Sequence, residues 1–329
     1  MRPFEYATPK TKQEVPGLLG TQWGETEVLA GGTDLLGLMK DEVTAPHRLV
    51  NIKEIEELRG VTVGADSTRI GSLMTLHEIS EDEKIQKAYP VFALAAGEAA
   101  SPQVRHMATM GGNLCQRPRC WYFRTGHGLL ALDKEGKSLV LAGDNRYHAI
   151  LGNNGPAYFV SPSTVAPVLI AYGASVRIHG PKRSREIPLE KFFVIPKNEK
   201  EREHDLGPNE FITDIILPGK LAPGLKVAHY EIRQKAAFDW PYATAAVALT
   251  MNGNTINNAR VVLGHVAPIP WVSEEAAKAL RGKALNEDTA DQAASAALVN
   301  AKSLGRNKEK IALARVALKR AILKVREVA

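Results

Sequence analysis

The sequence predicts an α+β protein built from three domains, and three observations carry this prediction. The 329 residues exceed the roughly 100–200 residues of a typical single domain. Strand-like and helix-like segments alternate up to about residue 57, and a strand pair joined by a tight turn then opens a second unit near residue 58. A linker rich in proline and glycine, residues 218–224, separates that unit from a third set of strands and helices.

The first domain, residues 1–57, centres on a turn with two adjacent glycines. Its predicted elements are strands at 3–6, 27–30 and 48–52 and helices from Thr8 and at 33–40. Gly31 and Gly32 join the second strand to the second helix, and paired glycines allow positive φ and close approach of the backbone to a ligand. Thr33 is a candidate N-cap, and a helix N-terminus favours a phosphate. The turn therefore fits either a pyrophosphate cradle or an ordinary capped turn.

The second domain, residues 58–218, contains another pair of glycines. A hairpin is predicted at 61–73 and a helix at 79–97. Gly111 and Gly112 then follow a β-suited segment. Two such turns, about 80 residues apart and in different domains, indicate the two sides of a cleft that holds an extended ligand.

Residues 115–158 are predicted to form an extended, glycine-rich insertion in the second domain. Cys115 and Cys120 could form half of a metal or iron–sulfur site. The sequence has no third cysteine, and nothing in the spacing of His127 or His148 marks them as substitutes. Isolated thiols are the favoured interpretation, and two cysteines fit a reducing compartment.

The third domain, residues 222–329, is predicted to be a sheet covered by helices. Strands are expected at 226–233, 243–251 and 259–266, with a hairpin turn at 252–254, and helices at 274–280, 289–300 and 311–325. The last helix is amphipathic. Its expected inward side chains are those of Ile311, Ala314, Leu318, Ile322 and Val325, and its expected outward ones those of Lys308, Lys310, Arg315, Lys319, Arg320 and Lys324. This basic face is interpreted as solvated surface, with a docking surface as the alternative.

Composition narrows the function classes. The net charge of +6 is spread along the chain between acids, without the basic stripe of a nucleic-acid binder, so no nucleic-acid partner is expected. No apolar run reaches the roughly 18–20 residues of a membrane span, and residues 1–6 lack a signal-peptide core. We expect a cytoplasmic protein, or one carried elsewhere by a partner. Because no hydrolase, metalloprotease or P-loop motif is present, a bound cofactor is expected to supply the chemistry.

Several stretches together resemble the FAD-binding medium subunits of the molybdenum hydroxylases, the family of xanthine dehydrogenase, aldehyde oxidoreductase and carbon monoxide dehydrogenase. These stretches are residues 30–35 (AGGTDL), 108–113 (ATMGGN), 116–124, 145–150, 238–241 and 261–271. The chain looks most like the branch with aldehyde oxidoreductase and 4-hydroxybenzoyl-CoA reductase medium subunits. The resemblance implies a PCMH-type FAD-binding fold, in which two N-terminal α/β subdomains flank FAD and a C-terminal sheet-and-helix domain packs against them.

The resemblance also implies the binding residues. Backbone N–H groups of the first turn would wrap the FAD pyrophosphate, and the second turn would form the opposing wall near the diphosphate and ribityl chain. The implied residues of the first turn are Val28, Leu29, Ala30, Gly31, Gly32, Thr33, Asp34 and Leu35. Those of the second turn are Thr109, Gly111, Gly112 and Asn113.

Two further implied flavin positions depart from the family. Thr164 stands where the family often has an aspartate, and Glu231 lies near a family lysine. A lysine near the flavin would favour the anionic reduced form, whereas a glutamate would disfavour it. Since neither departure touches the glycines, weaker or retuned FAD binding is expected rather than none.

Members of this branch also carry an inserted loop whose four cysteines hold a four-iron cluster. Cys120 occupies the first ligand position here, but Ser138, Ala157 and Gly128 stand at the counterparts of the other three. These side chains cannot replace thiolates. The loop is therefore expected without an iron–sulfur cluster in this chain.

The implied function is that of an electron-transfer oxidoreductase subunit with no catalytic side chain of its own. A large molybdenum-cofactor subunit (molybdopterin) would oxidise the substrate, and a small iron–sulfur subunit with 2Fe-2S clusters would pass electrons to FAD. The FAD would pass them to an external acceptor. The alternative is a degenerate structural subunit that has lost flavin and only bridges its partners. The intact glycines count against that alternative.

Overall fold

The computed structural model describes residues 1–235 and 239–327, and its three sheets with flanking helices confirm the α+β prediction. The 238–241 stretch is thus described only from Asp239 onward. The first sheet is parallel, with the order β1-β3-β2, so Val50 pairs with both Ala7 and Val28. Its elements in chain order are β1 (Glu5–Ala7), α1 (Val15–Leu18), β2 (Thr26–Leu29), α2 (Leu35–Lys40) and β3 (Arg48–Asn51). A 3₁₀ turn at Glu56–Leu58 leads out of it.

The second sheet begins with the predicted hairpin, β4 (Val61–Val63) and β5 (Ser67–Gly71). The region predicted to be helical at 79–97 is helical, but it is divided into three short helices: α3 (Leu76–Glu81), α4 (Glu83–Ala88) and α5 (Pro90–Glu98). Asp82 causes the first break. Its backbone is extended, and its side chain caps α4 by accepting a hydrogen bond from Ile85 N at 3.0 Å. Pro90 causes the second, because a residue before proline avoids the helical region.

The second glycine pair also lies in helix rather than after a strand. Ser101 caps α6 (Pro102–Arg105), and Thr109 caps α7 (Met110–Cys115). The hydroxyl of each accepts from a backbone N–H three residues later, which satisfies donors that a helix start leaves unpaired.

The insertion at 115–158 is largely irregular, with two short helices, α8 (Trp121–Arg124) and α9 (Leu139–Ala142). It is tied to the C-terminal part of the chain, for which the sequence predicts a third domain. Asn145 Nδ2 donates to Leu304 O at 2.9 Å, and Asn153 Nδ2 donates to Lys302 O at 2.8 Å. Ile150 and Leu151 are buried in the core of that domain.

After the insertion, the chain returns to complete the second sheet. Its remaining elements are α10 (Val165–Ala171), β6 (Ser175–His179), β7 (Ser184–Pro188), α11 (Leu189–Phe192) and β8 (Phe211–Pro218). The sheet is antiparallel with the order β4-β5-β8-β6-β7. Its core continues into one face of the third sheet, where Val227 and Val262 join it.

The third sheet is antiparallel, with the order β12-β11-β10-β9. Three helices follow it in the chain, and the first and third of them pack on the sheet. Its elements are β9 (Leu225–Ile232), β10 (Ala243–Asn252), β11 (Thr255–Gly264), β12 (Trp271–Val272), α12 (Glu274–Leu280), α13 (Glu287–Ala296) and α14 (Lys308–Lys324), followed by a 3₁₀ turn at Val325–Glu327. Gly253 takes φ +57° in the predicted hairpin turn. Across residues 1–235 and 239–327, no helix combines the length and apolarity that crossing a bilayer requires.

One prediction on α14 is wrong. Lys310 was expected on the outward face, but it is 2% exposed. Its Nζ donates to Tyr147 O at 2.7 Å and to His148 O at 3.1 Å. Burial lowers the pKa of this ammonium group to about 7. The helix therefore uses one of its basic residues to hold the insertion.

Candidate functional site

The first glycine turn presents free backbone donors. Gly32 has φ +72°, a conformation that glycine adopts without penalty. Among the described residues, the N–H groups of Gly31, Gly32 and Thr33 have no hydrogen-bond acceptor. The predicted cap is wrong: Asp34, not Thr33, is the N-cap residue of α2, and neither side chain caps the helix. The turn therefore offers donors that the protein leaves unused.

The second turn uses its donors internally. Gly111 N donates to Ser72 O at 2.9 Å, and Gly112 N donates to Thr109 Oγ1 at 3.3 Å. Asn113 accepts a hydrogen bond from Ser163 Oγ at 2.6 Å through Oδ1. This turn can thus shape a wall, while the first turn is the one with spare N–H groups.

The two turns lie against each other. A β-carbon at Gly31 would lie 1.7 Å from Met107 O, two residues before Thr109. Only a glycine allows this approach of two backbones. The predicted meeting of the two glycine turns is therefore present in the fold.

An open cleft of about 1170 Å³ runs along the first turn. Of the predicted residues, it is lined by Val28, Ala30, Gly31, Gly32, Thr33, Asp34, Leu35, Thr109, Gly111 and Gly112. Leu29 does not line it, because its side chain is buried in a small core with Met39 and Leu49. We refer to this space as the first cleft.

A second cleft of about 1060 Å³ adjoins the first and shares Thr33, Asp34, Gly112 and Gln116 with it. Asn113 and Thr164 also line this second cleft. Together the two clefts suit an extended ligand whose middle lies at the shared residues, since small-molecule ligands bind in concave sites of this kind.

Asp34 fastens the insertion to the first turn. Its Oδ2 accepts from Arg117 N at 2.8 Å, and its Oδ1 lies 2.7 Å from Arg124 Nη2 and 3.1 Å from Arg119 Nη2. Arg119 also stacks on the ring of Trp240, 4.6 Å from its centroid. The acid of the GGTD motif is therefore a positioning residue for the segment that borders both clefts.

Thr164 and Glu231 lie in different surroundings. Thr164 lines the second cleft without capping α10. Glu231 does not line either cleft; its side chain is 5% exposed and faces His229 and Arg233. Burial raises the pKa of Glu231 to about 7, against the opposing effect of the Arg233 charge.

Sequence reasoning missed Ser72, which follows β5 and lines the first cleft. Its hydroxyl is buried and has no partner within the described chain. Orphaned buried polar groups are uncommon in folded proteins. The sequence signal is weak, because a serine after a strand is ordinary.

A second missed group closes the far end of the first cleft. Arg202 stacks on the ring of Trp23 at 4.6 Å and lies 3.2 Å from Glu27 Oε1. Burial raises the pKa of Glu27 to about 7, whereas the charge of Arg117 acts to lower it. Arg202 comes from the 194–210 connection, which no sequence pattern placed near residue 27.

Two of the four positions that correspond to cluster ligands share one apolar cluster. Cys120 and Ala157 lie in one apolar cluster with Phe123 and Phe159, and Cys120 Sγ lies 3.1 Å from His148 Nε2. Burial raises the pKa of the Cys120 thiol. Ser138 instead caps α9.

An FAD pyrophosphate fits the residues at the junction of the clefts. Anionic oxygens would find the unpartnered N–H groups of Gly31, Gly32 and Thr33, which add no bulk of their own. The orphaned Ser72 hydroxyl lines the same cleft, beside Gly111 of the second turn. These donors are therefore available to an anionic ligand at the junction of the two clefts.

Two family models together match nearly the whole chain. Residues 2–220 match the FAD binding domain in molybdopterin dehydrogenase, and residues 228–325 match the CO dehydrogenase flavoprotein C-terminal domain. The chain is 29% identical over 295 residues to the carbon monoxide dehydrogenase medium chain of Hydrogenophaga pseudoflava. The matched region covers 90% of this chain and 86% of that protein. It is 30% identical over 278 residues to the aldehyde oxidoreductase FAD-binding subunit PaoB of Escherichia coli K12, with 84% and 85% covered.

Solved structures agree. Carbon monoxide dehydrogenase from Hydrogenophaga pseudoflava that lacks the Mo-pyranopterin moiety of its cofactor is similar with a TM-score of 0.76 and 28% identity, over 97% of this chain and 96% of that chain. Reconstituted CO dehydrogenase from Oligotropha carboxidovorans is similar with a TM-score of 0.77 and 25% identity, over 100% and 99%.

Proposed function

Because the chain belongs to the FAD-binding medium subunits of the molybdenum hydroxylase family, we propose that it is the electron-transfer subunit of a heteromeric molybdenum-containing hydroxylase or dehydrogenase. Bound FAD would supply the redox chemistry, taking electrons from iron–sulfur clusters of a partner subunit and giving them to an external acceptor. The observation that carries the proposal is the set of unused N–H donors at the junction of two clefts.

Each residue of the site has a distinct task in this proposal. The N–H groups of Gly31, Gly32 and Thr33 bind the pyrophosphate, and Gly31 lets the second turn approach. Asp34 holds Arg119 and Arg124, and thereby the insertion, over the cleft. None of these groups exchanges a proton with substrate, because substrate oxidation belongs to another chain.

The partners follow from the relatives. The matched proteins are named as a medium chain and an FAD-binding subunit, so we propose a large molybdenum-cofactor subunit and a small iron–sulfur subunit beside this chain. The wall of the two clefts is proposed to contact FAD through five further residues, Thr109, Gly111, Gly112, Asn113 and Thr164.

Flavin content tests the proposal. The complex is purified with its natural partners, and the absorbance near about 450 nm is measured before and after incubation with FAD. We expect one FAD per chain. A complex that assembles and turns over substrate without flavin, even after reconstitution, would reject electron transfer and favour the alternative of a structural bridging subunit.

A further inference from the structure

A group of three metal-ligating side chains, two of them buried, lies beside the second cleft. Glu98 ends α5, while His229 and Glu231 alternate along β9 and so face the same side of the strand. One potential ligand atom from each lies within 4.8 Å of the other two, and in residues 1–235 and 239–327 this is the only such group of three. Two elements distant in sequence thus bring an imidazole and two carboxylates together.

The packing leaves buried atoms of His229 and Glu231 without a hydrogen-bond partner. His229 Nε2 lies 3.4 Å from Glu231 Oε1, and His229 Nδ1 lies 3.9 Å from Glu98 Oε2. His229 Nε2 and Glu231 Oε1 are buried and make no hydrogen bond to a described residue, whereas Glu231 Oε2 contacts Arg233. The side chains of His229 and Glu231 are 1% and 5% exposed. Buried acceptors in this state destabilise a fold unless a cation or a donor meets them.

Two cations flank the group. Arg233 Nη2 contacts Glu231 Oε2, and Arg233 Nη1 donates to Glu98 O at 3.0 Å. Lys324 Nζ lies 3.4 Å from His229 O, so it faces the backbone rather than the ring. One guanidinium group on one oxygen leaves His229 Nε2 and Glu231 Oε1 unsatisfied.

We propose that Glu98, His229 and Glu231 bind a divalent transition-metal ion of the zinc type. One nitrogen and two carboxylate oxygens form a common Zn²⁺ ligand set. Ligand atoms at about 2.0–2.1 Å from a tetrahedral ion lie about 3.3 Å apart, close to the His229–Glu231 separation. Glu98 Oε2 lies 3.9 Å from Nδ1, the other ring nitrogen of His229, so the carboxylate has to move toward Nε2 to complete that geometry; its side chain is 42% exposed and free to do so. Arg233 then donates to the outer oxygen of Glu231 and orients it.

Zinc titration of the full chain tests this site. The chelator-treated protein is titrated calorimetrically with ZnCl₂, and we expect one strong site per chain. Glu231→Gln and His229→Ala should each weaken binding at least tenfold, because each removes a ligand. Absence of zinc binding, or equal binding by wild type and Glu231→Gln, would overturn the proposal.

Matched controls separate this site from surface binding. Glu81→Gln removes an exposed carboxylate elsewhere. His77→Ala breaks a histidine pair whose ring centroids lie 3.8 Å apart and which could itself hold zinc. Both variants should bind zinc like the wild type. Loss of the strong site in His77→Ala would place the ion at that pair and contradict the proposal.

X-ray absorption of the zinc-loaded wild type gives an answer even if the variants do not fold. We expect only nitrogen and oxygen ligands at about 2.0–2.2 Å, with one imidazole. Sulfur at about 2.3 Å would place zinc on a cysteine, and two imidazoles would place it on the histidine pair. Neither readout uses FAD or turnover, so failure of the metal site leaves the proposed function untouched.

Discussion

Alanine at position 31 would force the two glycine turns apart. Its β-carbon would lie 1.7 Å from Met107 O and 2.7 Å from Met107 C, and both neighbours are backbone atoms that cannot rotate away. Real β-carbons essentially never lie closer than 3.0 Å to such atoms. The separation from Met107 O must therefore grow by at least about 1.3 Å, the difference between 1.7 and 3.0 Å.

That displacement is large compared with the tolerance of a hydrogen bond. A donor at about 2.9 Å from a pyrophosphate oxygen would move to about 4.2 Å, beyond the range in which N–H···O bonds form. A hydrogen bond to a charged acceptor contributes about 1.5–3 kcal/mol. Losing two of them weakens FAD binding by about 3–6 kcal/mol, or about 10²- to 10⁴-fold. Overpacking also lowers the free energy of unfolding by about 1–3 kcal/mol.

Gly37→Ala is the matched control, since a β-carbon there meets nothing within 4 Å. Gly37 lies in α2, so alanine should raise the free energy of unfolding by about 0.8–1.0 kcal/mol and leave FAD affinity unchanged. FAD affinity is measured by titration of flavin-stripped protein, and folding by thermal unfolding. If Gly31→Ala binds FAD within threefold of the wild type, the cradle described here is not the pyrophosphate site.

Three further changes test neighbouring parts of the site. Asp34→Asn should lower the free energy of unfolding by about 1–3 kcal/mol, because it weakens the bonds to Arg119 and Arg124; an unchanged melting temperature would contradict this. Ser72→Ala should weaken FAD binding about fivefold, near the 1 kcal/mol of one hydrogen bond, without lowering stability in the absence of FAD, because its hydroxyl has no protein partner. The pKa of Lys310 is lowered to about 7 in the folded state. Between about pH 7 and pH 10, the unfolded chain therefore binds more protons at this group than the folded chain does, so the free energy of unfolding should rise by up to about 1.4 kcal/mol per pH unit. Lys310→Met should flatten this rise, and denaturation across that pH range measures it.

Local patterns in the sequence were sufficient for much of the fold. The hairpin at β4 and β5 and the glycine turn after β2 depend on nearby residues, so their turn chemistry predicted them. The apolar spacing at 79–97 did not reveal the two breaks in this helical region, which lie at a capping aspartate, Asp82, and a proline, Pro90. Periodicity alone does not reveal where a helix breaks.

Contacts between distant segments were not predictable in this way. Lys310 fits a basic stripe on α14, yet its side chain is buried and donates to the backbone oxygens of Tyr147 and His148. Ser72 and Arg202 reach the first cleft from segments with no distinctive sequence. The site therefore had to be assembled from the fold, while its glycines were visible beforehand.

The structure of the FAD-reconstituted protein tests the central claim most directly. We predict FAD lying along both clefts, with pyrophosphate oxygens about 2.7–3.2 Å from backbone nitrogens among Gly31, Gly32 and Thr33. A pyrophosphate bound elsewhere, or a protein that takes up no FAD, would contradict the account.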